Sequence, residues 1–419
     1  MTALRIRAKV IILHTSTCRA TTKLPDLKTY FLDIHWYDYG LYLVYILLFV
    51  YLLHRIGRVA YGLSSLSVKL QMFTFLLYAA VLIADSFLDF LPFLPDTGMY
   101  TYMIKTGLYP DTTSVNILAL YYFSIVIAIL CLNSPIIFTF FNVFFFLVAV
   151  QFMMSRFPGE DTKLKDRQQT VFAGMMLFWP AGLMYLSVPL RETYILLATA
   201  LFLAGFFSYL QKRKFLMLLT GSVLLLLLRM QLFVCLAPLA AFLIVLRSDV
   251  HRIWKLTTVL ITIGLVLTYL RFMILGEPFS PEALSALRNE YIADGGNLAY
   301  GNVAWQSYGD MLVDMPFLVL QFMLSPMPIF SSYDTTGMTL ANLDVILVIT
   351  LLLLILADLR FHWKHYRYLL AIVVVFAVVF AMYEYHLTGA VRHRMPMVMM
   401  LMIPAAATAG RLWGRFRHD

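Results

Sequence analysis

Three features of the chain predict an all-α, polytopic transmembrane helical bundle. Hydrophobic residues make up 61% of the 419 and charged residues 13%, whereas soluble domains carry about 45–50% apolar and 25% charged residues. Apolar runs close to the roughly 20 residues that cross a bilayer core as a helix fill most of the length. Backbone amides in lipid have no water to bond, so a spanning segment is a helix or part of a closed barrel, and the two-residue alternation of a barrel strand is missing. A mean hydropathy of +0.81 over this length indicates one membrane domain, not a string of soluble ones.

Residues 1–37 hold Arg5, Arg7, Lys9, Arg19, Lys23 and Lys28 around one apolar patch, Val10 to Leu13. That patch is too brief for a signal-peptide core of about 7–15 residues, so the segment is expected to be a tail or interfacial helix ahead of a single integral membrane domain, 38–419. Apolar runs and their polar punctuation place spans at about 39–54, 70–90, 134–154, 170–187, 193–211, 215–229, 231–246, 256–275, 340–358, 368–387 and 396–410. The run 115–132, interrupted by Asn116 and Ser124, is read as lying on or dipping into the outer leaflet. With or without it, about 11–12 helices span.

Cations collect in every second gap, as the bias toward cytoplasmic Lys and Arg requires. The gap 55–69 holds Arg55, Arg58 and Lys69; 155–169 holds Arg156, Lys163, Lys165 and Arg167; 211–214 holds Lys212, Arg213 and Lys214. Arg247, Arg252 and Lys255, then Arg360, Lys364 and Arg367, then the tail cations Arg411, Arg415 and Arg417 continue the alternation. The net charge of +9 is therefore explained by topology, and no nucleic-acid partner is called for. This parity leaves the basic N-terminal segment outside, against the same bias, unless a further crossing precedes residue 37. The opposite gaps, above all the long outer loops 87–133 and 276–339, hold few cations, so each one present there asks for a reason.

Four groups of outer-side residues carry chemistry. In the first outer loop, Asp96 follows Asp85 and Asp89 and precedes Tyr100 and Tyr102. A carboxylate at the mouth of a helix can take a proton from a substrate, or it can simply cap the short helix that begins near Thr97. In the tight turn Ser187–Thr193, Arg191 offers a planar grip on phosphate and Glu192 can orient it or bind a sugar hydroxyl. The helix dipole alone accounts for Glu192, with about 0.3–1 kcal/mol, but gives Arg191 nothing. The turn 388–396 brings Arg392, His393 and Arg394 together as an anion site or a lipid-headgroup contact, and Arg229 is a further outer-side cation between two apolar runs. In the long loop, Arg288, Glu290, Tyr300 and Trp305 have the composition of a carbohydrate platform, although aromatics also belt membrane interfaces.

Walker-type loops, HExxH and GxSxG are absent, so ATP-driven transport and the commoner hydrolase schemes have no support. Cys18, Cys131 and Cys235 are scattered, so no disulfide framework or zinc site follows. No cofactor is called for; a divalent metal is compatible with the carboxylates, but no spacing asks for one. Asp344 and Glu384 are the main internal carboxylates of the kind a transporter would use.

Taken in order, Asp96 with Tyr100 and Tyr102, the stretch Pro180–Ser187–Arg191–Glu192, the long outer loop in the second half, and Arg392–Arg394–Pro396 at the start of a late helix resemble the multispanning glycosyltransferases and polysaccharide polymerases of the GT-C superfamily. The likeness is one of layout and covers about residues 70–410. It implies a polyprenyl-linked donor, an aspartate (Asp96, or Asp89 in a shifted register) as base or acceptor-positioning group, and outer arginines (Arg191, Arg392, Arg394) on the donor phosphate. The expected setting is a bacterial or archaeal cell membrane with the site outside. The rival expectations are a polymerase or ligase of lipid-linked glycans, and a transporter or flippase of lipid-linked sugars.

Overall fold

The computed structural model describes residues 36–88, 90, 91, 95–106, 121, 122, 126–157, 161–212, 216–247, 257, 260, 264, 280–294, 299–326 and 336–415. In chain order the helices are α1 (Trp36–Arg55), α2 (Ser65–Leu88), α3 (Pro95–Thr106), α4 (Pro135–Ser155), α5 (Thr162–Leu177), α6 (Pro180–Leu186) and α7 (Glu192–Lys212). They continue with α8 (Leu216–Leu228), α9 (Met230–Arg247), α10 (Pro281–Asp294), α11 (Tyr308–Leu324), α12 (Thr336–Ala357), α13 (Leu359–Tyr383) and α14 (Leu387–Arg415). Among the described residues seven helices are long and apolar enough to cross a membrane, or eight if the bent pair α5–α6 is one span, fewer than the 11–12 expected: at the expected spans 215–229 and 231–246 the apolar helical stretches Leu216–Leu228 and Met230–Phe242 are too short. The chain is an all-α integral membrane protein. Nearly all of the expected span 256–275, half of the run 115–132, the segment 1–35 and Asp89 lie outside the described residues.

Local chemistry explains where the helices begin. Ser134 accepts a hydrogen bond from the Ile137 amide and Pro135 opens α4, the residue type that tolerates a missing N–H there. Asp161 caps α5 through the Lys163 amide at 2.9 Å, and Ser307 with Asp310 forms a reciprocal capping box on α11. The expected single span over 170–187 is instead broken: α5 and α6 meet at 60°, because Trp179 precedes Pro180 and adopts an extended conformation that a helix cannot continue.

Two further boundaries differ from the sequence reading. The expected outer turn 388–396 is already helix, since α14 starts at Leu387 and runs through Pro396 and Pro404. α13 likewise begins at Leu359, so Arg360, Lys364 and Arg367 ride on its first turns instead of a loop. Hydropathy marks where a helix is apolar, whereas the hydrogen-bonded helix continues into its polar ends.

α7 and α8 pack antiparallel with backbones in contact. A Cβ on Gly205 would lie 2.2 Å from the Leu218 nitrogen, and one on Gly221 would lie 2.4 Å from the Phe202 nitrogen. Small residues at such crossings are how membrane helices gain packing where lipid supplies no hydrophobic drive. Carried to the helix ends, this register brings Arg229 level with Glu192.

Among the described residues, the basic segments near 64, 155–170 and 211 and the basic C-terminal helix end gather at one end of the bundle, a Cβ on Gly410 lying 3.3 Å from Arg167. Ser64 meets Thr170 at 3.2 Å, Lys165 bonds the Ser155 carbonyl at 2.8 Å, Gln211 bonds the Arg156 carbonyl at 3.1 Å, and Arg411 pairs with Asp358 at 2.7 Å. The turns carrying Arg191, Arg229 and Arg392 occupy the other end.

Candidate functional site

The turn between α6 and α7 is made by Pro189: the Leu190 amide bonds the Val188 carbonyl at 2.8 Å, reversing the chain within two residues. Arg191 then stands immediately before α7, its carbonyl receiving the Ile195 amide at 3.1 Å, and Glu192 is the first residue of the helix. A carboxylate at a helix N-terminus is favoured by the dipole; a guanidinium there is not, so Arg191 is held by something else.

That something is a shared charge cluster. Glu192, 3% exposed, receives Arg392 Nε at 2.5 Å, while Arg229 Nη1 lies 3.8 Å and Arg191 Nε 3.9 Å from the same oxygen. The three arginines come from three places: the α6–α7 turn, the break at residue 229 between α8 and α9, and the second turn of α14. At the break, the Arg229 amide closes α8 on Leu225 and its carbonyl opens α9 toward Leu232 and Phe233, leaving no loop at all. Glu192, Arg229, Arg392 and His393 line one narrow cleft with Ile195, Leu196, Leu232, Met395 and Pro396.

Three guanidiniums around one carboxylate leave a surplus of positive charge. Unit charges 4 Å apart interact by about 4 kcal/mol at the effective dielectric of a protein surface, so this surplus gives the cleft a positive potential that suits an anion. The same turn leaves polar atoms unused: Ser187 Oγ, Arg191 Nε, Glu192 Oε2 and Thr193 Oγ1 are buried without a hydrogen-bond partner among the described residues. Native proteins leave few such groups, and four of them fall here within seven residues.

Beside this cleft sits a second carboxylate. Glu384, 2% exposed, follows α13, accepts the amides of Tyr385 and His386 on Oε1, and holds His393 Nδ1 at 2.5 Å on Oε2. Burial opposes its charge, but His393 and the two amides outweigh that and keep its carboxyl below the ordinary range.

Arg394 does not join the cluster. Fully buried, it donates from Nε and Nη2 to Asp344 Oδ2 and from Nη1 to the carbonyls of Met323 and Ser325, while Trp179 Nε1 donates to Asp344 Oδ1 at 3.0 Å. The expectation that Arg394 grips phosphate gives way to a tie between α14, α12, the end of α11 and the α5–α6 bend. Asp344 is accordingly a structural anchor.

Most of the expected carbohydrate platform also turns inward. Arg288, 1% exposed, donates to the Ala381 and Met382 carbonyls at 2.8 and 3.2 Å, closing the C-terminal end of α13, with its guanidinium 5.8 Å from the Tyr300 ring. Burial brings it down to about 10, still charged at neutral pH. Trp305 is buried and donates to Asp314 at 2.8 Å, and the Tyr300 amide bonds the Tyr385 carbonyl at 2.8 Å. These side chains form the loop's own core and clamp it to the α13–α14 connection, because a loop of this length needs apolar faces to bury. Glu290 alone of the four is exposed.

The segment that carries Asp96 is placed by its helix. α3 starts at Pro95, so Asp96 lies in its first turn and not at the cap. Tyr100, Met103 and Ile104 of α3 line an apolar cleft with Phe138, Pro189, Leu190 and Tyr194, directly behind the Arg191 turn. The side chains of Asp96 and Tyr102 are outside the described residues. Asp85 accepts the Leu91 amide at 2.6 Å and thereby shapes the loop's start. Sequence reasoning missed the pairing of Glu384 with His393; nine residues of separation across a helix start carry no periodic signal.

Among the described residues no group of three or more His, Cys, Asp or Glu could hold a metal. No family model, curated protein or solved structure matches the chain.

Proposed function

We propose that this protein is a membrane glycosyltransferase that takes its sugar from a polyprenyl-phosphate-linked donor on the extracytoplasmic face, in cell-surface glycan assembly. One observation carries the reading: Arg191, Arg229 and Arg392, drawn from distant parts of the chain, converge on a single buried carboxylate beside unused polar atoms. An acceptor hydroxyl attacks the anomeric carbon, the carbon–oxygen bond to phosphate breaks, and charge grows on the departing lipid phosphate. Preorganised donors aimed at such charge contribute about 2.7–4 kcal/mol each. The resemblance assigns proton removal to Asp96. A transporter would keep free ionisable groups at mid-membrane, whereas Asp344 is bound by Arg394 and Trp179. The cationic surplus gathers instead at the helix ends, where a lipid headgroup lies.

The test is turnover. Purified protein in lipid nanodiscs is given radiolabelled hexoses, N-acetylhexosamines and deoxyhexoses on undecaprenyl phosphate and diphosphate, with a membrane glycolipid fraction as acceptor. Transfer of one sugar is expected, and a ladder of products would assign the protein to the polymerases that share this layout. Substituting Arg191, Arg229 or Arg392 by Ala is expected to lower the rate by about 10²–10³. No covalent product from any donor, or undiminished rates in all three variants, would sink the proposal.

A further inference from the structure

His393 stands apart from the other groups in the arginine cleft because it is the one side chain there that can both give and take a proton near neutral pH. Its Nδ1 is held at 2.5 Å by Glu384, whose other oxygen is occupied by the amides of Tyr385 and His386. A carboxylate accepting two backbone amides is ionised, so the proton of this hydrogen bond sits on Nδ1 and Nε2 carries the lone pair. The ring is further fixed edge-on against Phe380 at 6.2 Å. Glu384 is sealed in at 2% exposure, while the His393 side chain is 24% exposed and lines the cleft together with Arg229, Arg392 and Glu192. Gly389 permits the arrangement: a Cβ there would come within 2.9 Å of Glu384 Oε1.

A buried carboxylate that orients an imidazole lining a cationic cleft is the arrangement of a general base next to an oxyanion site. Glu192 is ill suited, since Arg392 bonds its Oε1, two more cations lie within 4 Å of that oxygen and its Oε2 is buried. We infer that His393 is the general base of the transfer and Glu384 its positioning residue, in the role that the resemblance gives to Asp96; the inference rests on the transferase reading. In the step, the acceptor hydroxyl proton passes to His393 Nε2 and the oxygen lone pair forms the bond to the anomeric carbon. The bond from that carbon to the phosphate oxygen breaks, its electron pair leaving with the lipid phosphate between the arginines. The imidazolium then returns its proton to solvent. The charged groups around His393 are Glu384 from the α13–α14 connection, Arg229 from the α8–α9 break, Arg392 beside it on α14 and Glu192 from the start of α7 across the cleft.

The experiment compares wild type, His393→Gln, Glu384→Gln and Asp96→Asn in nanodiscs, measuring kcat and KM across pH with the undecaprenyl-linked sugar that wild type uses, and affinity for unglycosylated undecaprenyl phosphate. For His393→Gln, kcat is expected to fall by about 10²–10⁴, the acid limb of the profile to disappear, and affinity for undecaprenyl phosphate to stay within threefold. In Glu384→Gln an amide can still accept the backbone N–H groups but donates to Nδ1, forcing the proton onto Nε2. Its kcat is expected to fall as far, with KM unchanged, a split that mere loosening of the fold would not produce. Loss of undecaprenyl phosphate binding in His393→Gln with kcat retained would make it a phosphate ligand and overturn the inference. So would wild-type kcat in His393→Gln alongside loss in Asp96→Asn, and in both cases the transferase reading survives. A wild type inert toward every donor removes both.

Discussion

Arg392 and Arg394 stand two residues apart on one helix yet bond carboxylates on opposite sides of it: Arg392 Nε lies 2.5 Å from Glu192 Oε1, and Arg394 Nη2 lies 2.7 Å from Asp344 Oδ2. Successive helical residues turn by about 100°, so two steps carry the side chain almost to the far face. One arginine is delivered to the cleft and the other to the interior. Their substitution should therefore have opposite signatures.

Arg394→Ala leaves Asp344 without its main partner in the interior, a change that costs about 3–5 kcal/mol. The variant is expected to unfold well below wild type in detergent, or to be cleared before reaching the membrane. Arg392→Ala, at the cleft, is expected to keep the wild-type Tm within a few degrees while losing product. Thermal unfolding by tryptophan fluorescence beside the turnover assay checks both; a stable Arg394→Ala would refute the anchor role.

Glu192→Ala removes the anion that three arginines share. Their mutual repulsion, on the order of a few kcal/mol at these distances, then opposes folding. The expected result is a lowered Tm that millimolar diphosphate restores, with a larger rise than in wild type, because an external anion takes the place of the lost carboxylate. Equal shifts in the two proteins would mean that the cluster does not draw anions.

The α7–α8 crossing predicts a sharp contrast among glycines. Gly205→Ala or Gly221→Ala sets a methyl against backbone atoms that cannot rotate away, so the helices must part, at about 1–3 kcal/mol. Gly174→Ala, with nothing within 4 Å of the new carbon, is expected to be neutral or to stabilise by about 0.4–1 kcal/mol. Chemical denaturation in mild detergent would separate the two classes.

Acidification should weaken the start of α14. His386 precedes that helix and its Nδ1 accepts the Gly389 amide at 3.3 Å, a bond that protonation abolishes. Burial holds its pKa below the ordinary 6.5 despite the opposing pull of Glu384. A lowered pKa means that the stabilisation is complete above the unfolded-state value and is lost as pH falls through the folded one. Glu384, also lowered, follows the same sign but only below its unfolded value of 4.5. Between pH 7 and pH 5 part of the fall in Tm should therefore belong to His386. His386→Asn, which keeps a capping acceptor and does not titrate, is expected to flatten that fall; an unchanged slope would exclude the cap as its source.

The hydropathy pattern was sufficient for the class of the molecule, for most span positions and for the gathering of basic gaps at one end. All of these depend on the local preference of each segment for lipid or water, which can be read along the chain. Arg191, Arg229 and Arg392 were likewise legible as cations in gaps that should lack them. Their convergence on Glu192 was not, nor was the divergence of Arg394, the inward turn of Arg288 and Trp305, or the hold of Glu384 on His393. Those relations depend on helix phase, on the close α7–α8 register set by two glycines, and on bonds between residues as much as 200 positions apart. Composition along a chain is blind to such distances, and only packing in three dimensions decides which charges meet and which are walled away.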